Sequence, residues 1–270
     1  MIKINELSKT FNKGTINEVA ALKNINLHID ESDFVTIIGT NGSGKSTLLN
    51  AIAGAFTPDT GEIIINNDKV TKQPDYKRAK YISRVFQNPF SGTAPDMTIA
   101  ENLLIAYHRS KKVFPKISLN SKLLKQFRDE VAQLEMQLED RMDNIIGSLS
   151  GGQRQAITLL MATIVKPKVL LLDEHTAALD PKTAAQVIKL TERFIAADKL
   201  TTIMITHSMQ QALDFGNKTI MMYRGELIDS LSQQEKKKLT VNDLLNKFAD
   251  LRKKEKVSES LIAELRQKYF

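Results

Sequence analysis

The fold of the chain is decided by Gly39-Thr40-Asn41-Gly42-Ser43-Gly44-Lys45-Ser46-Thr47, a glycine-rich segment that joins two apolar stretches. The stretch before it, Phe34–Ile38, is almost continuously apolar or β-branched, which is typical of a strand buried on both faces. The stretch after it, Leu48–Ala53, continues as a helix. Because the segment matches G-x-x-x-x-G-K-[ST] between a strand and a helix, the sequence predicts a phosphate-binding loop, called the P-loop below.

The residue types of the P-loop suit a nucleoside triphosphate. Glycines let the backbone curl so that successive N–H groups point inward at phosphate oxygens, and the positive end of the helix dipole lies at the same place. We expect Lys45 to reach the β- and γ-phosphates and the Ser46 hydroxyl to ligate Mg²⁺. The predicted nucleotide-binding residues of the loop are Gly39, Thr40, Asn41, Gly42, Ser43, Gly44, Lys45, Ser46 and Thr47.

Acidic and imidazole side chains follow two further apolar stretches. Val169–Leu172 ends in Asp173-Glu174, and Ile203–Thr206 ends in His207. A buried strand that delivers a carboxylate at its end is the second half of a P-loop site, so Asp173 is expected to hold Mg²⁺, through water. Glu174 is placed to polarise the attacking water as a general base. His207 is a candidate to contact the γ-phosphate and orient that water.

A second anion site is predicted at Leu149-Ser150-Gly151-Gly152-Gln153, directly before a helix that runs to about Val165. A serine and two glycines at a helix N-terminus let a phosphate approach the backbone closely. This segment resembles the signature motif of the ATP-binding cassette (ABC) ATPases, which that family also carries upstream of its acidic strand. In the family the motif serves the ATP bound to the other subunit, so the resemblance implies a homodimer that sandwiches two ATP molecules.

The remaining motifs of the family occur in order, over about residues 2 to 230. Gln87 resembles the glutamine that links Mg²⁺ and water to the helical subdomain, and Asp180 resembles the loop that crosses the dimer interface. His207 resembles the switch histidine, and Phe11 resembles the aromatic residue that stacks on adenine. The resemblance therefore implies catalytic roles for Lys45, Gln87, Glu174 and His207, Mg²⁺ ligation by Ser46, Gln87 and Asp173, and nucleotide contacts by Phe11, Ser150, Gly151, Gly152, Gln153 and Asp180.

The chain departs from the family pattern at two positions. The family often has proline after the catalytic glutamate, whereas this chain has His175. Phe11 stands where tyrosine is commoner, which keeps the ring face and loses a hydroxyl. Neither change removes a reacting group, so we expect both sites of a homodimer to hydrolyse ATP.

The pattern of apolar stretches predicts an α/β fold of the P-loop ABC type, with a mostly parallel central sheet. Early alternating stretches such as Ile25–Ile29 and Ile63–Ile65 are bounded by turn residues and predict an antiparallel β subdomain. An inserted helical subdomain is predicted at about residues 95 to 165, where a cap at Ser121 is followed by apolar residues at helical spacing: Leu123, Leu124, Phe127, Val131, Leu134 and Leu138. Residues 1 to 230 form the predicted cassette. Residues 231 to 270 are predicted to be a helical tail, entered by a capping box at Thr240–Asp243.

Composition restricts the setting in which the predicted ATPase would act. The chain has 270 residues and no cysteine, so disulfides and cysteine-based zinc sites are excluded. No apolar stretch approaches the length of a membrane span, so transport requires separate transmembrane permease subunits. The net charge is +7, but lysines are spread along the chain without an aromatic-interleaved stripe, and we expect no nucleic-acid partner. The expected location is peripheral, on the cytoplasmic face of the cell membrane.

The transport direction rests on resemblance alone. The stretches Arg84–Pro89, Met97–Leu103 and Glu174–Ala184 resemble an importer branch of the family. That branch works with a substrate-binding protein, and its suspected cargo is amino acids such as tyrosine or tryptophan. An exporter motor and a soluble ABC ATPase remain alternatives, since both would share the catalytic residues. A non-enzymatic nucleotide-binding module is disfavoured by Glu174.

Overall fold

A computed structural model describes residues 1–109 and 119–254, with side chains described as far as residue 250. The chain divides into two compact units. The first unit consists of Met1–Lys72 and the described residues from Ile203 onward. The second consists of Gln73–Thr202.

The strands within the described ranges are β1 (Ile2–Phe11), β2 (Val19–Ile29), β3 (Phe34–Gly39), β4 (Thr60–Ile65), β5 (Asp68–Lys69), β6 (Ile82–Val85), β7 (Val169–Asp173), β8 (Thr201–Ile205), β9 (Lys218–Tyr223) and β10 (Glu226–Ser232). The α-helices over the same residues are α1 (Lys45–Ala53), α2 (Asp75–Arg78), α3 (Ile99–His108), α4 (Ser121–Ala132), α5 (Gly151–Thr163), α6 (Pro181–Asp198), α7 (Met209–Asp214), α8 (Gln233–Lys236) and α9 (Val241–Lys254).

The first unit contains a four-stranded sheet of order β2-β1-β4-β5. Strand β1 pairs antiparallel with both β2 and β4, and β5 pairs antiparallel with β4. Along β1 the apolar side chains of Ile2, Ile4 and Leu7 are buried while the polar residues between them face outward. This alternation is what a half-buried strand requires, and it confirms the antiparallel sheet that the sequence predicts.

The same unit carries β10-β9-β3-β8 as consecutive strands of a second sheet. Strands β3 and β9 run parallel with Ile37 opposite Ile220, and both residues are buried. Strand β10 pairs antiparallel with β9. The continuous apolar pattern of β3 therefore corresponds to a parallel strand covered on both faces, as predicted, and its carboxyl end leads directly into the P-loop.

The second unit carries β8-β7-β6 in that order, with β6 and β7 parallel and Arg84 opposite Leu171. The boundary between the units falls within β8, so that Thr201 and Thr202 belong to the second unit. Helices α3 to α6 belong to the second unit as well, and α3, α4 and α5 lie within the region predicted to be helical at about residues 95 to 165. As a division of domains, the cassette at residues 1 to 230 and its inserted subdomain stay a prediction.

Helix α4 is shorter than its apolar spacing suggests. Leu134 and Leu138 continue the pattern and are buried, yet the helix ends at Ala132. The backbone φ angles of Glu135 and Gln137 are +56° and +55°, which no α-helix tolerates. Arg193 of α6 stabilises this irregular turn, because its guanidinium pairs with the Glu135 carboxylate at 2.9 Å. At the other end of the helix, the prediction that Ser121 is the N-cap of α4 was wrong by one residue.

The side chain that caps α4 is Asn120, which accepts a hydrogen bond from the Leu123 amide at 2.9 Å. In the tail, the predicted capping box at Thr240 and Asp243 is confirmed, because each side chain accepts a hydrogen bond from the other residue's amide.

Helix α9 of the tail packs into the core of the first unit. Leu244 and Phe248 are fully buried in a cluster with Ile38, Met209 and other apolar residues of β3, α7, β9 and β10. The first helical part of the tail is therefore integral to the unit that carries the P-loop. Residues 110–118 and the part of the predicted helical tail after residue 254 lie outside the described residues. Among the helices that the structure describes, none is long and apolar enough to cross a membrane.

Lys236 is a buried cation that closes the C-terminal end of α7. Its ammonium donates hydrogen bonds to the backbone carbonyl oxygens of Phe215 and Gly216, the latter at 3.0 Å. Carbonyls at a helix end lack partners within the helix, so a lysine is well suited to this place. Burial of the side chain lowers the pKa of Lys236 to about 8.

The lowered pKa predicts that Lys236 makes the protein more stable as the pH rises above 8. The unfolded chain keeps this lysine protonated up to about pH 10.4, so between these values it binds more protons than the folded chain. We expect the free energy of unfolding of the wild type, relative to Lys236→Met, to increase by about 1–2 kcal/mol from pH 7.5 to pH 9.5. Urea denaturation of both proteins at the two pH values measures this. A difference that does not change with pH would contradict the assignment.

Candidate functional site

The P-loop is held in a tight turn between β3 and α1. Gly44, the N-cap residue of α1, has a φ of +98°, and a side chain there would place its Cβ 2.5 Å from the carbonyl oxygen of Ala21. Both the backbone conformation and the close approach of β2 therefore require glycine at this position. No side chain caps α1 and no acidic residue lies in its first turn, so the start of this helix is suited to an anion.

Lys45 bends back over this loop. Its ammonium donates hydrogen bonds to the carbonyl oxygens of Gly39 at 2.8 Å and Thr40 at 3.1 Å, and the residue is buried. The charge is thereby held beside the curled backbone, where a bound phosphate chain would meet it. This arrangement suits the phosphate contact predicted for Lys45.

Phe11, the predicted adenine-stacking residue, lies at the end of β1 and is paired with a second ring. Its ring meets that of Phe56 edge-on at a centroid distance of 5.3 Å. The Lys9 ammonium lies 5.5 Å from the Phe11 ring centroid and is fixed by Asp59 at 2.9 Å. Sequence reasoning missed Phe56, because no motif marks it. Its position just after α1 is the only signal that places a second aromatic residue near the loop.

His207 follows β8 and is half-buried. Thr206 before it donates a hydrogen bond to the Gln211 side chain at 2.6 Å, and Ser208 after it caps α7 by accepting from the Gln211 amide. The histidine therefore stands between a strand end and a capped helix, both of which restrict its backbone. The predicted site residues of the first unit lie at the ends of strands or at the start of α1. They are Phe11, His207 and the residues of the P-loop.

In the second unit, Asp173 ends β7 and is bound by a residue that sequence reasoning missed. The Nη2 atom of Arg84 donates to Oδ2 of Asp173 at 2.6 Å, and both side chains are largely buried. The guanidinium also lies 4.7 Å from the Phe86 ring centroid. Since Arg84 is opposite Leu171 in the parallel pair, Asp173 lies two residues further along the neighbouring strand on the same face. The ion pair therefore fixes the Asp173 side chain at the end of β7.

Glu174 adopts the left-handed conformation, with a φ of +47°, and is half-buried. Its carbonyl oxygen accepts from the Ala177 amide at 2.9 Å, which begins the turn that leads to α6. The next residue, His175, is buried, and burial lowers the pKa of its imidazole to about 4. His175 is therefore neutral at physiological pH.

Gln87 is exposed in the loop after β6. The backbone carbonyl of the preceding Phe86 accepts a hydrogen bond from the buried side chain of Gln155 on α5, at 3.2 Å. Gln155 lies just beyond the signature motif, so one side chain joins the helix of that motif to the base of the Gln87 loop. Sequence reasoning missed Gln155, because the motif pattern ends before it.

The signature motif begins α5 with a complete capping box. The Ser150 hydroxyl accepts from the Gln153 amide at 3.3 Å, and the Gln153 side chain accepts from the Ser150 amide at 3.2 Å. The two glycines differ in what they contact. A Cβ on Gly152 would lie 2.0 Å from the Cγ2 methyl of Thr183 on α6, whereas a Cβ on Gly151 would meet its nearest neighbour at 3.7 Å, an ordinary contact.

Asp180 caps α6, accepting from the Thr183 amide at 3.1 Å, and hydrogen bonds from Thr183 lower the pKa of its exposed carboxyl group. The second unit therefore brings Gln87, Asp173, Glu174, the signature motif and Asp180 to strand ends and helix starts. Among the described residues there is no group of three or more histidine, cysteine or acidic side chains that would hold a metal by themselves. The Ser46 hydroxyl in the first unit and the Asp173 carboxylate in the second unit are each a hard oxygen group of the kind that Mg²⁺ prefers.

Sequence and fold both resemble known proteins over most of the chain. The ABC transporter family matches residues 22–177. The tyrosine transport ATP-binding protein of Clostridioides difficile (strain R20291) is 41% identical over 248 residues, which are 92% of this chain and 98% of that protein. The spermidine/putrescine import ATP-binding protein PotA of Aggregatibacter actinomycetemcomitans is 33% identical over 87% of this chain, which spans 59% of that relative's length.

A solved structure shows the same likeness. It is the dimeric, post-hydrolysis state of the ATP-binding cassette MJ0796 bound to ADP and Pi, with a TM-score of 0.73 at 31% identity, and the match covers 86% of this chain and 99% of that chain. The predicted fold class, an α/β P-loop cassette of the ABC type, is confirmed. The roles predicted for individual site residues stay predictions.

The contact between Gly152 and Thr183 gives a stability prediction. Gly152→Ala forces a methyl group into the Thr183 methyl, so we expect the melting temperature to fall by several degrees, as for overpacking by about 1–3 kcal/mol. Gly151→Ala has room and should melt within about a degree of the wild type. Thr183→Ser removes the clashing methyl but keeps the amide that Asp180 caps, so the double variant Gly152→Ala/Thr183→Ser should recover most of the loss. Calorimetry that shows equal destabilisation by both alanines would contradict this packing.

Proposed function

The chain belongs to the ABC transporter family and is an ATPase with that family's ATP-binding domain; from this premise we propose that it powers the import of an aromatic amino acid such as tyrosine. The observation that carries the cargo is the likeness to the tyrosine transport ATP-binding protein along nearly the whole length of both chains. The likeness to PotA, an import ATP-binding protein, supports the direction of transport. ABC ATPases dimerise and work with transmembrane permease subunits, so this chain is one component of a transporter.

Each predicted site residue has a task that its surroundings allow. The N-terminal amides of α1 and the Lys45 ammonium would bind the β- and γ-phosphates and stabilise the charge that develops on the transferring phosphoryl group. Phe11 would stack on adenine, supported by Phe56. Mg²⁺, when bound with ATP, would neutralise phosphate charge. Ser46 and Asp173 would hold that ion, with Gln87 completing its surroundings.

Glu174 is the proposed general base, with His207 orienting the water that attacks the γ-phosphate. Glu174 follows a strand end directly, so its position is fixed by β7 and by the turn at Ala177. In a closed dimer the second copy of the chain would contribute Ser150, Gly151, Gly152, Gln153 and Asp180 to the same ATP. Support for the dimer comes from the cassette MJ0796, whose structure is dimeric.

Gly151 supports the dimeric arrangement independently. An alanine at this position would fit inside its own chain with ordinary contacts, so internal packing does not explain the glycine. A phosphate approaching the start of α5 from another chain would meet that Cβ. The second glycine, Gly152, is by contrast explained by the packing of α5 on α6.

The proposed permease contact is the segment Asn88–Pro95, which follows Gln87. Phe90 in this segment is 59% exposed, and one face of its ring rests on the Arg154 guanidinium at 4.3 Å. Arg154 belongs to α5, so movement of the signature helix would reach Phe90 directly. The transporter would be located at the cytoplasmic face of the membrane and would use a substrate-binding protein for its cargo.

Glu174→Gln should separate ATP binding from hydrolysis. We expect phosphate release to fall about 10²- to 10⁴-fold, since the amide is no base, while ATP binding persists and a dimer accumulates with ATP. Phosphate assays and size-exclusion chromatography measure the two effects. The exposed Glu31→Gln serves as the charge-matched control and should behave as wild type. Adding Gly151→Ala to Glu174→Gln should abolish the ATP-dependent dimer while leaving the melting temperature unchanged. Wild-type hydrolysis by Glu174→Gln would assign the base to another residue.

The transport role is tested by isolating tagged Glu174→Gln with ATP from detergent-solubilised membranes of its own cell. We expect a polytopic permease and an extracytoplasmic binding protein to come with it. The recovered binding protein should melt at a higher temperature with tyrosine than with spermidine. Adding Phe90→Ser to Glu174→Gln should abolish recovery of the permease while the ATP-dependent dimer persists.

Other outcomes of the same isolation would overturn the proposal. A permease recovered without a binding protein would favour an exporter. Recovery of soluble proteins or nucleic acid alone would favour a soluble ABC ATPase.

A further inference from the structure

His175 is a buried polar residue for which nucleotide binding offers no task. It is 2% exposed and follows Glu174, at the position where the family often has proline. Its Nε2 atom lies 3.0 Å from the hydroxyl oxygen of Thr191, which is also buried, on α6. A buried imidazole with a single well-formed hydrogen bond is either a passive part of the core or an anchor for the backbone that carries it.

The direction of this hydrogen bond follows from the bonding of Thr191. The Thr191 hydroxyl donates its one proton to the Val187 carbonyl at 2.8 Å, one turn earlier in α6. The hydroxyl oxygen must therefore accept from His175, and Nε2 is the protonated nitrogen.

The backbone next to His175 needs an anchor. Glu174 is in the left-handed region at a φ of +47°, which is unfavourable for a residue with a side chain. Such a conformation persists only where the surroundings impose it. The turn that follows Glu174 is fixed at both ends by α6. At one end, His175 is hydrogen-bonded to Thr191 near the middle of α6, and at the other end, Asp180 caps the start of that helix. The hydrogen bond from Ala177 to Glu174 closes the turn between these two points.

We propose that His175 is a positioning residue that, through Thr191, holds Glu174 in its left-handed conformation and so directs the Glu174 carboxylate at the attacking water. The proposal rests on the role of Glu174 as general base. Without the anchor, Glu174 relaxes toward an ordinary φ and its carboxylate leaves the productive position. Lys45, Phe11 and the amides of α1 do not depend on this turn, so ATP still binds.

The test compares steady-state ATP hydrolysis of His175→Leu, Thr191→Val and His175→Gln with the wild type, well below the lowest melting temperature of the set. His175→Leu and Thr191→Val should each lower kcat about 10- to 100-fold, the usual effect of a misplaced catalytic group, with KM for ATP within about twofold. Glutamine places an amide near the position of Nε2, so His175→Gln should recover most of kcat. The double variant His175→Leu/Thr191→Val should be no slower than His175→Leu, because both remove the same contact.

Thr163→Val is the matched control. Thr163 is also buried, and its hydroxyl donates to the Leu159 carbonyl one turn earlier at 3.0 Å in α5, but that hydroxyl serves no histidine. It should keep the wild-type kcat. A wild-type kcat in His175→Leu and Thr191→Val, a loss in His175→Leu that glutamine does not recover, or a loss confined to KM would each overturn the proposal. Glu174→Gln separates this failure from failure of the proposed base: if Glu174→Gln is inactive while His175→Leu is fully active, only the positioning role is lost.

Discussion

The confinement of a lysine ammonium within a glycine-rich turn is the constraint on which the nucleotide-binding half of this protein depends. Lys45 is buried, yet its charge is not isolated, because two carbonyl oxygens of its own loop accept hydrogen bonds from its ammonium group. Those carbonyls can face inward only because the chain turns sharply between β3 and α1, where Gly44 has a positive φ and touches β2. The loop therefore presents a cation and uncapped helix amides together, and an anion with several oxygens is the ligand that satisfies both.

Much of this arrangement was predictable because the motifs are local. The P-loop, the strand ending in Asp173, the signature helix and the capping box of the tail are each contained within a few consecutive residues whose types determine their conformation. The residues that sequence reasoning missed are those that act across long sequence separations. Arg84 reaches Asp173 through the register of two parallel strands, Phe56 meets Phe11 from beyond α1, and Gln155 meets the Phe86 carbonyl from α5. No local pattern encodes such contacts.

The misplaced end of α4 has the same origin. Apolar spacing continues past Ala132 because Leu134 and Leu138 are buried. The spacing cannot reveal that two residues between these leucines have positive φ angles. That turn is fixed by Arg193, a residue of α6 far along the chain. Likewise, the two glycines of the signature motif are equivalent in the sequence, and only the position of Thr183 separates the one that packing requires from the one that it does not. A motif identifies the residue types, whereas the tertiary contacts show why each of those residues is needed.

Helix α6 connects these observations in the second unit. One helix packs against Gly152 through Thr183, is capped by Asp180, accepts the hydrogen bond of His175 at Thr191 and supports the turn after α4 through Arg193. The turn that carries Glu174, the proposed general base, and the signature motif are therefore both anchored to a single helix. A proline after the catalytic glutamate restricts the backbone through its own ring, whereas this chain obtains the restraint from a side chain bonded to α6. The orientation of Glu174 consequently depends on the position of the helix that also packs against the signature glycines, so displacing α6 would change both at once.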